Sequence, residues 1–157
     1  MANAGRRNWN YIVWHTAADP RNNGEYDTTR ADIDRWHKAN GWSGIGYHYV
    51  VRKDGSIEVG RSLNRIGAHV KGLNSKAIGI CFSGHGDLQP LTEKQVTAGI
   101  RLTKLLMKIY KIPVTHVIGH REANKFLPPQ YHTTKTCPGK LVNMDNIRKL
   151  INLMGGG

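Results

Sequence analysis

Two short runs of apolar, β-branched and aromatic residues, Tyr11-Ile12-Val13-Trp14 and Val114 to Ile118, each lead to a histidine. His15 follows the first run directly, and His120 follows the second after Gly119. Runs this short and this rich in Ile and Val suit buried strands better than helices. They carry both imidazoles to the same kind of place, a loop just beyond a strand's C-terminal end, where open α/β sheets bind their ligands. A third capable side chain follows in the stretch Lys135-Thr136-Cys137-Pro138-Gly139, where Cys137 is held between a threonine and a Pro-Gly turn. Two imidazoles and a thiolate are ligand types that suit zinc, and three protein ligands leave a fourth position open.

The rest of the chain supplies the layers such a sheet needs. Thr29 with Asp32 marks a helix start, because a hydroxyl and an acid there satisfy free amides and the dipole. Ile33, Trp36 and His37 share one side of that helix, and Gly41 is placed to end it. Gly46 to Arg52 alternates as a strand with Tyr47, Tyr49 and Val51 on one face, and Asp54-Gly55 turns it back through Ser56 to Gly60 as a hairpin. A glycine-rich loop, Gly67 to Asn74, leads into a buried strand from Ala77 to Phe82. Thr92 and Gln95 form a capping box, and Val96, Ile100, Leu102, Leu105, Leu106 and Ile109 stripe a helix that ends near Lys111, before Pro113. Val114 to Ile118 is the last strand, Asn124 to Thr134 a polar loop and Asn143 to Met154 a closing amphipathic helix. Gly155-Gly156-Gly157 is expected to fray. This order predicts a single α/β domain over residues 1–157, its core at about 9–154, with a central mixed sheet flanked by helices.

Composition narrows the partners. Apolar residues make up 39% of the chain and form no run long enough to cross a bilayer. Lys and Arg number 23 against 11 Asp and Glu, a formal charge of +12 whose field draws polyanions. The basic residues are scattered and no nucleic-acid signature accompanies them, so no nucleic-acid partner is expected. Met1 to Arg7 is charged but no apolar h-region follows, so no export signal is expected. Cys81, inside Ile78-Gly79-Ile80-Cys81-Phe82, reads as a core thiol, and both cysteines read as reduced.

The local text adds a resemblance. Ile12-Val13-Trp14-His15, Arg35-Trp36-His37-Lys38, Gly46-Tyr47-His48-Tyr49, Gly67-Ala68-His69, Lys71-Gly72-Leu73-Asn74, Ile78-Gly79-Ile80, Gly119-His120 and Thr136-Cys137-Pro138-Gly139 resemble the zinc-dependent N-acetylmuramoyl-L-alanine amidases of phage lysozymes and peptidoglycan recognition proteins. The resemblance spans roughly residues 9–151. It implies one zinc ion held by His15, His120 and Cys137, with Tyr47 and Lys135 at the catalytic positions and His69 and Asn74 in the substrate groove. It implies as substrate the amide between N-acetylmuramic acid and L-alanine in bacterial peptidoglycan. A phage endolysin of this type would wait as a monomer in the host cytoplasm until lysis, with no separate wall-binding domain. The stretch from His120 to Cys137 is longer than in compact phage enzymes, which loosens the alignment of Lys135.

Three rival readings stay open on the residues alone. One is a module that binds wall fragments without cutting them. A second is a metal-independent thiol hydrolase in which Cys137 attacks with help from His120. The third is a basic nucleic-acid-binding protein.

Overall fold

The computed structural model describes residues 7–154. The expectations about Met1 to Arg6 and Gly155 to Gly157 lie outside them. A five-stranded mixed sheet forms the centre, built from β1 (Tyr11–Thr16), β2 (Tyr49–Val51), β3 (Ile57–Val59), β4 (Ala77–Phe82) and β5 (Val117–Gly119) in the order β3-β2-β4-β1-β5. β1 runs parallel to both β4 and β5, β2 runs parallel to β4, and the β2–β3 hairpin is antiparallel. Three helices accompany it: α1 (Arg30–Ala39), α2 (Glu93–Tyr110) and α3 (Met144–Leu153). The expected α/β architecture and its order of elements are observed.

Alternation along the strands assigns the two faces. Ile12 and Trp14 of β1 join Ile78, Ile80 and Phe82 of β4 in the larger core, against Ile100 and Leu106 of α2 and Ile147 and Ile151 of α3. Trp14 donates its indole N–H to the Thr103 hydroxyl at 3.0 Å, so its one polar atom is satisfied at full burial. The intervening residues face the other way. There Ile33 of α1 packs with Ile45, Val50 and Cys81, and Tyr47 borders that cluster. His15 alternates with Trp14 and so projects from this second, less fully covered face. Capping boxes at Thr29/Asp32 and Thr92/Gln95 start α1 and α2 as the sequence predicts.

Four local expectations are corrected. β1 does not stop at Trp14: its ladder with β4 continues through His15 opposite Cys81 and Thr16 opposite Phe82. The strand expected over Gly46 to Arg52 is shortened to three residues: His48 N–H still bonds the Gly79 carbonyl of β4, but Gly46 N–H donates to His37 Nδ1. The Gly46 and Tyr47 carbonyls accept from Ala68 and Arg61 of the following loop, so Tyr47 packs with Val50 and Cys81 and not on the face of Tyr49 and Val51. Val114 to His116 forms a 3-10 turn, closed by His116 N–H on the Pro113 carbonyl, and the last strand begins at Val117. The polar loop from Asn124 to Thr134 is folded into 3-10 turns at His120–Phe126 and Pro129–Tyr131. Asn124 bonds Thr133 twice through its side chain, at 2.9 Å each way, which closes this segment on itself.

Candidate functional site

β1 and β5 are parallel neighbours, so His15 near the end of β1 and His120 just past Gly119 of β5 emerge at one edge of the sheet. The loop carrying Cys137 crosses over that edge. One ligand atom from each of His15, His120 and Cys137 lies within 4.8 Å of the others. His15 Nδ1 stands 3.5 Å from Cys137 Sγ. Zn–N and Zn–S bonds of about 2.0–2.1 and about 2.3 Å at a tetrahedral angle require a separation of about 3.5 Å, so the pair fits a zinc ion without rearrangement.

The electrostatics fit a cation as well. Burial holds His15 well below the ordinary histidine range, with His69 and His120 adding to the effect. Burial and the neighbouring Lys135 lower His120 to about 4. Both rings are therefore neutral at pH 7, the form that ligates metal. Burial pushes the Cys137 thiol up to about 11 against the pull of Thr16, Lys135 and Arg121. A bound divalent cation reverses that balance and holds a thiolate.

A cleft of about 740 Å³ opens over these three residues and is also lined by Tyr47, His69, Asn74 and Lys135. Tyr47 sits two residues before β2, with its ring 4.9 Å from that of His15 and 5.5 Å from that of His37. His37 in turn packs on Trp42 at 4.5 Å, so a histidine stands between Tyr47 and Trp42. Burial raises the Tyr47 phenol well above its ordinary range, which keeps its proton in place at neutral pH. Lys135 is exposed and lines both the cleft and an adjoining recess of about 230 Å³ beside Cys137.

His69 and Asn74 reach the cleft wall with both His69 ring nitrogens and the Asn74 side-chain oxygen already engaged. His69 Nδ1 is 2.9 Å from His15 Nε2, and His69 Nε2 is 3.0 Å from the Ala77 carbonyl. Asn74 Oδ1 accepts the backbone N–H groups of His69 and Val70, each at 2.8 Å. Asn74 thus ties the loop that presents His69.

Several residues that hold the site carry no legible signal of their own in the sequence. Arg121 donates to the carbonyls of Thr136, Gly139 and Val142, and its own N–H bonds the Cys137 carbonyl at 2.8 Å. Asp87 accepts from the Thr136 hydroxyl at 2.8 Å and the Lys140 N–H at 2.7 Å. Thr16 donates to the Pro138 carbonyl at 2.8 Å. Together they clamp the Cys137 loop from both sides. Glu122 fixes the His120 turn by accepting from Gly119 N–H and pairing with Arg148 of α3 through two 2.8 Å contacts. Gly-His-Arg-Glu stands out in the text as a cluster, but the partners of Arg121 are backbone carbonyls, which no side-chain pattern announces.

The family model for N-acetylmuramoyl-L-alanine amidase matches residues 5–140. The chain belongs to that family. Among curated relatives, the endolysin of Klebsiella phage KP32 is 36% identical over 88 residues, covering 55% of this chain and 58% of that protein. Peptidoglycan-recognition protein SC2 of Drosophila melanogaster is 31% identical over 137 residues, 82% of this chain and 66% of that one. The solved N-acetylmuramoyl-L-alanine amidase LysC of Clostridium intestinale superposes with a TM-score of 0.79 at 34% identity, covering 94% of this chain and 88% of its own. The chain spans about half the length of the phage endolysins it matches.

Proposed function

We propose that the protein hydrolyses the amide between the lactyl group of N-acetylmuramic acid and L-alanine in peptidoglycan, using one zinc ion held by His15, His120 and Cys137. The observation that carries this reading is the convergence of those three ligand atoms at the floor of a cleft shared with Tyr47 and Lys135. Membership of the amidase family supports it.

Bound zinc supplies a water activated at neutral pH and polarises the scissile carbonyl. The chain's own residues do the rest. Tyr47, kept protonated by burial, orients the attacking water through its hydroxyl and passes a proton in the cleft. Lys135 places a positive charge where the carbonyl oxygen becomes anionic, a contribution of roughly 3–4 kcal/mol for a well-aimed donor. The mobile proton ends on the departing L-alanine amine.

The electrostatics disfavour the thiol-hydrolase reading. A nucleophilic cysteine needs a lowered pKa and an imidazole basic enough to take its proton, whereas burial raises Cys137 and lowers the basicity of both neighbouring histidines. In its biological setting the reading is endolysin-like: a monomeric, wall-degrading enzyme made in the host cytoplasm and acting when the membrane opens.

The test is turbidity loss of purified peptidoglycan with and without chelator, with products assayed for new L-alanine amino groups and new reducing sugar ends. Alanine amines that vanish with chelator and return with zinc are the expected result. Reducing ends would identify a glycosidase, and binding without release a recognition module; either overturns the proposal.

A further inference from the structure

We infer that His69 is a positioning residue: it fixes the tautomer and orientation of His15, so that a bare Nδ1 faces His120 and Cys137. This rests on the zinc-amidase reading of the site and assigns His69 a task other than touching substrate.

The hydrogen-bond chain permits one arrangement of protons. The Ala77 carbonyl can only accept, so His69 Nε2, 3.0 Å away, carries a hydrogen. In a neutral ring the other nitrogen is then an acceptor, so His69 Nδ1 receives the hydrogen on His15 Nε2 at 2.9 Å. His15 is left with its lone pair on Nδ1, the atom 3.5 Å from Cys137 Sγ. A backbone carbonyl at the end of the chain therefore determines which nitrogen of a candidate ligand is free to bind. Second partners of this kind orient metal-binding imidazoles and raise their basicity.

The surrounding backbone is shaped around the His69 ring. Gly79, in the middle of β4, lies against it: a Cβ there would come within 2.8 Å of His69 Cγ and 2.9 Å of its Nδ1. A Cβ on Gly67 would come within 2.6 Å of His69 Cδ2. Glycine weakens a strand interior, so its presence in β4 marks a close approach that the strand must allow. The imidazole lies in the slot these two glycines leave, meeting the His15 ring edge-on at 5.0 Å. His48, fully buried, closes the slot from behind. Its Nδ1 accepts the Gly79 N–H and its Nε2 donates to the Arg65 carbonyl, both at 3.0 Å, which ties β4 to the loop that carries His69. With both nitrogens engaged, His69 has no free polar atom to offer a ligand in the cleft.

The experiment measures zinc affinity without substrate, by competition with a chromophoric chelator, for wild type, His69→Leu, His69→Asn and Gly79→Ala. His69→Leu fills the space but offers no acceptor, and its zinc dissociation constant should rise about 10–100-fold. Asparagine places an acceptor near the position of Nδ1 and should recover part of that loss. Gly79→Ala removes no polar group but displaces the ring, and should weaken zinc binding in the same direction. Nitrogen-15 spectra of the zinc-free protein should show His15 as the Nε2–H tautomer in wild type and as a mixture in His69→Leu. Unchanged zinc affinity and tautomer in folded His69→Leu, with a raised KM for muropeptide, would overturn the assignment and return His69 to substrate binding. A wild-type protein that binds zinc with the predicted His69 dependence yet leaves peptidoglycan intact would sink the amidase reading alone.

Discussion

At the scale of single residues the proposed reaction divides the site into groups that hold and groups that react. Tyr47 packs on His15 and His37 through its ring, and its hydroxyl, hydrogen-bonded to the Cys81 thiol, is the group the proposed mechanism uses for proton transfer. Tyr47→Phe should therefore preserve fold and zinc content and lower turnover by at least about tenfold, the small end of what a positioned acid or base contributes. Metal analysis alongside initial rates checks this, and full activity in the variant would remove Tyr47 from the mechanism. Lys135 has a different signature. It is exposed, its backbone N–H donates to the Thr133 hydroxyl, and it sits where the cleft meets the recess beside Cys137. Lys135→Ala should cost about 10²-fold in kcat with little change in melting temperature. Loss of stability in that variant would instead mean a structural cation.

At the scale of elements, the Cys137 loop keeps its shape because Arg121 gathers three of its carbonyls and Asp87 bonds Thr136 and Lys140 on either side of the cysteine. Lysine cannot reproduce a planar fork with several donors, so Arg121→Lys should loosen the loop although the charge is kept. The expected outcome is faster alkylation of Cys137 in the zinc-free protein and weaker zinc binding, with α2 and the sheet intact by circular dichroism. Labelling at the wild-type rate would show that Asp87 and Thr16 suffice. The start of α1 carries a pH signature. Burial alone would raise Asp32, but the Thr29 amide and hydroxyl together with Arg35 and Arg21 outweigh it and hold the carboxyl at about 2. A depressed carboxylate stabilises the fold above its unfolded pKa of 3.8, and that stability is lost as pH falls from there toward 2. Asp32→Asn should flatten this part of an acid-unfolding curve.

These elements also show what the text could and could not disclose. The capping boxes at Thr29 and Thr92, the Asp54-Gly55 turn and the short apolar runs of β1 and β4 are local, so their elements are legible. Strand ends are not: β1 runs on to Thr16 only because β4 continues beside it to Phe82, a pairing between segments far apart in the chain. His15, His120 and Cys137 were singled out because each stands at a break in a pattern. The resemblance puts His69 in the groove, but its bond to His15 joins a loop to a distant strand and no spacing predicts it.

At the scale of the whole molecule, the excess of 23 basic over 11 acidic side chains extends into the cleft. Among the described residues Lys71 and Lys135 line it and no carboxylate does. A field of one sign concentrated in a cleft raises the local concentration of an anionic polymer and speeds its capture. The chemistry of the bond itself acts over a few ångströms and is much less exposed to screening. The two contributions therefore separate with salt, because the Debye length shrinks from about 30 Å at 0.01 M to about 8 Å at 0.15 M. Lysis of intact, anionic cell-wall particles should slow several-fold over that range, while hydrolysis of a small uncharged muramoyl-alanine amide should change little. Charge-reversed variants at exposed positions remote from the cleft, such as Lys108→Glu with Lys149→Glu, should reduce the salt sensitivity of particle lysis and leave the small substrate alone. Equal salt dependence for both substrates would place the electrostatic effect in the catalytic step, and Lys135 would then be the residue through which it acts.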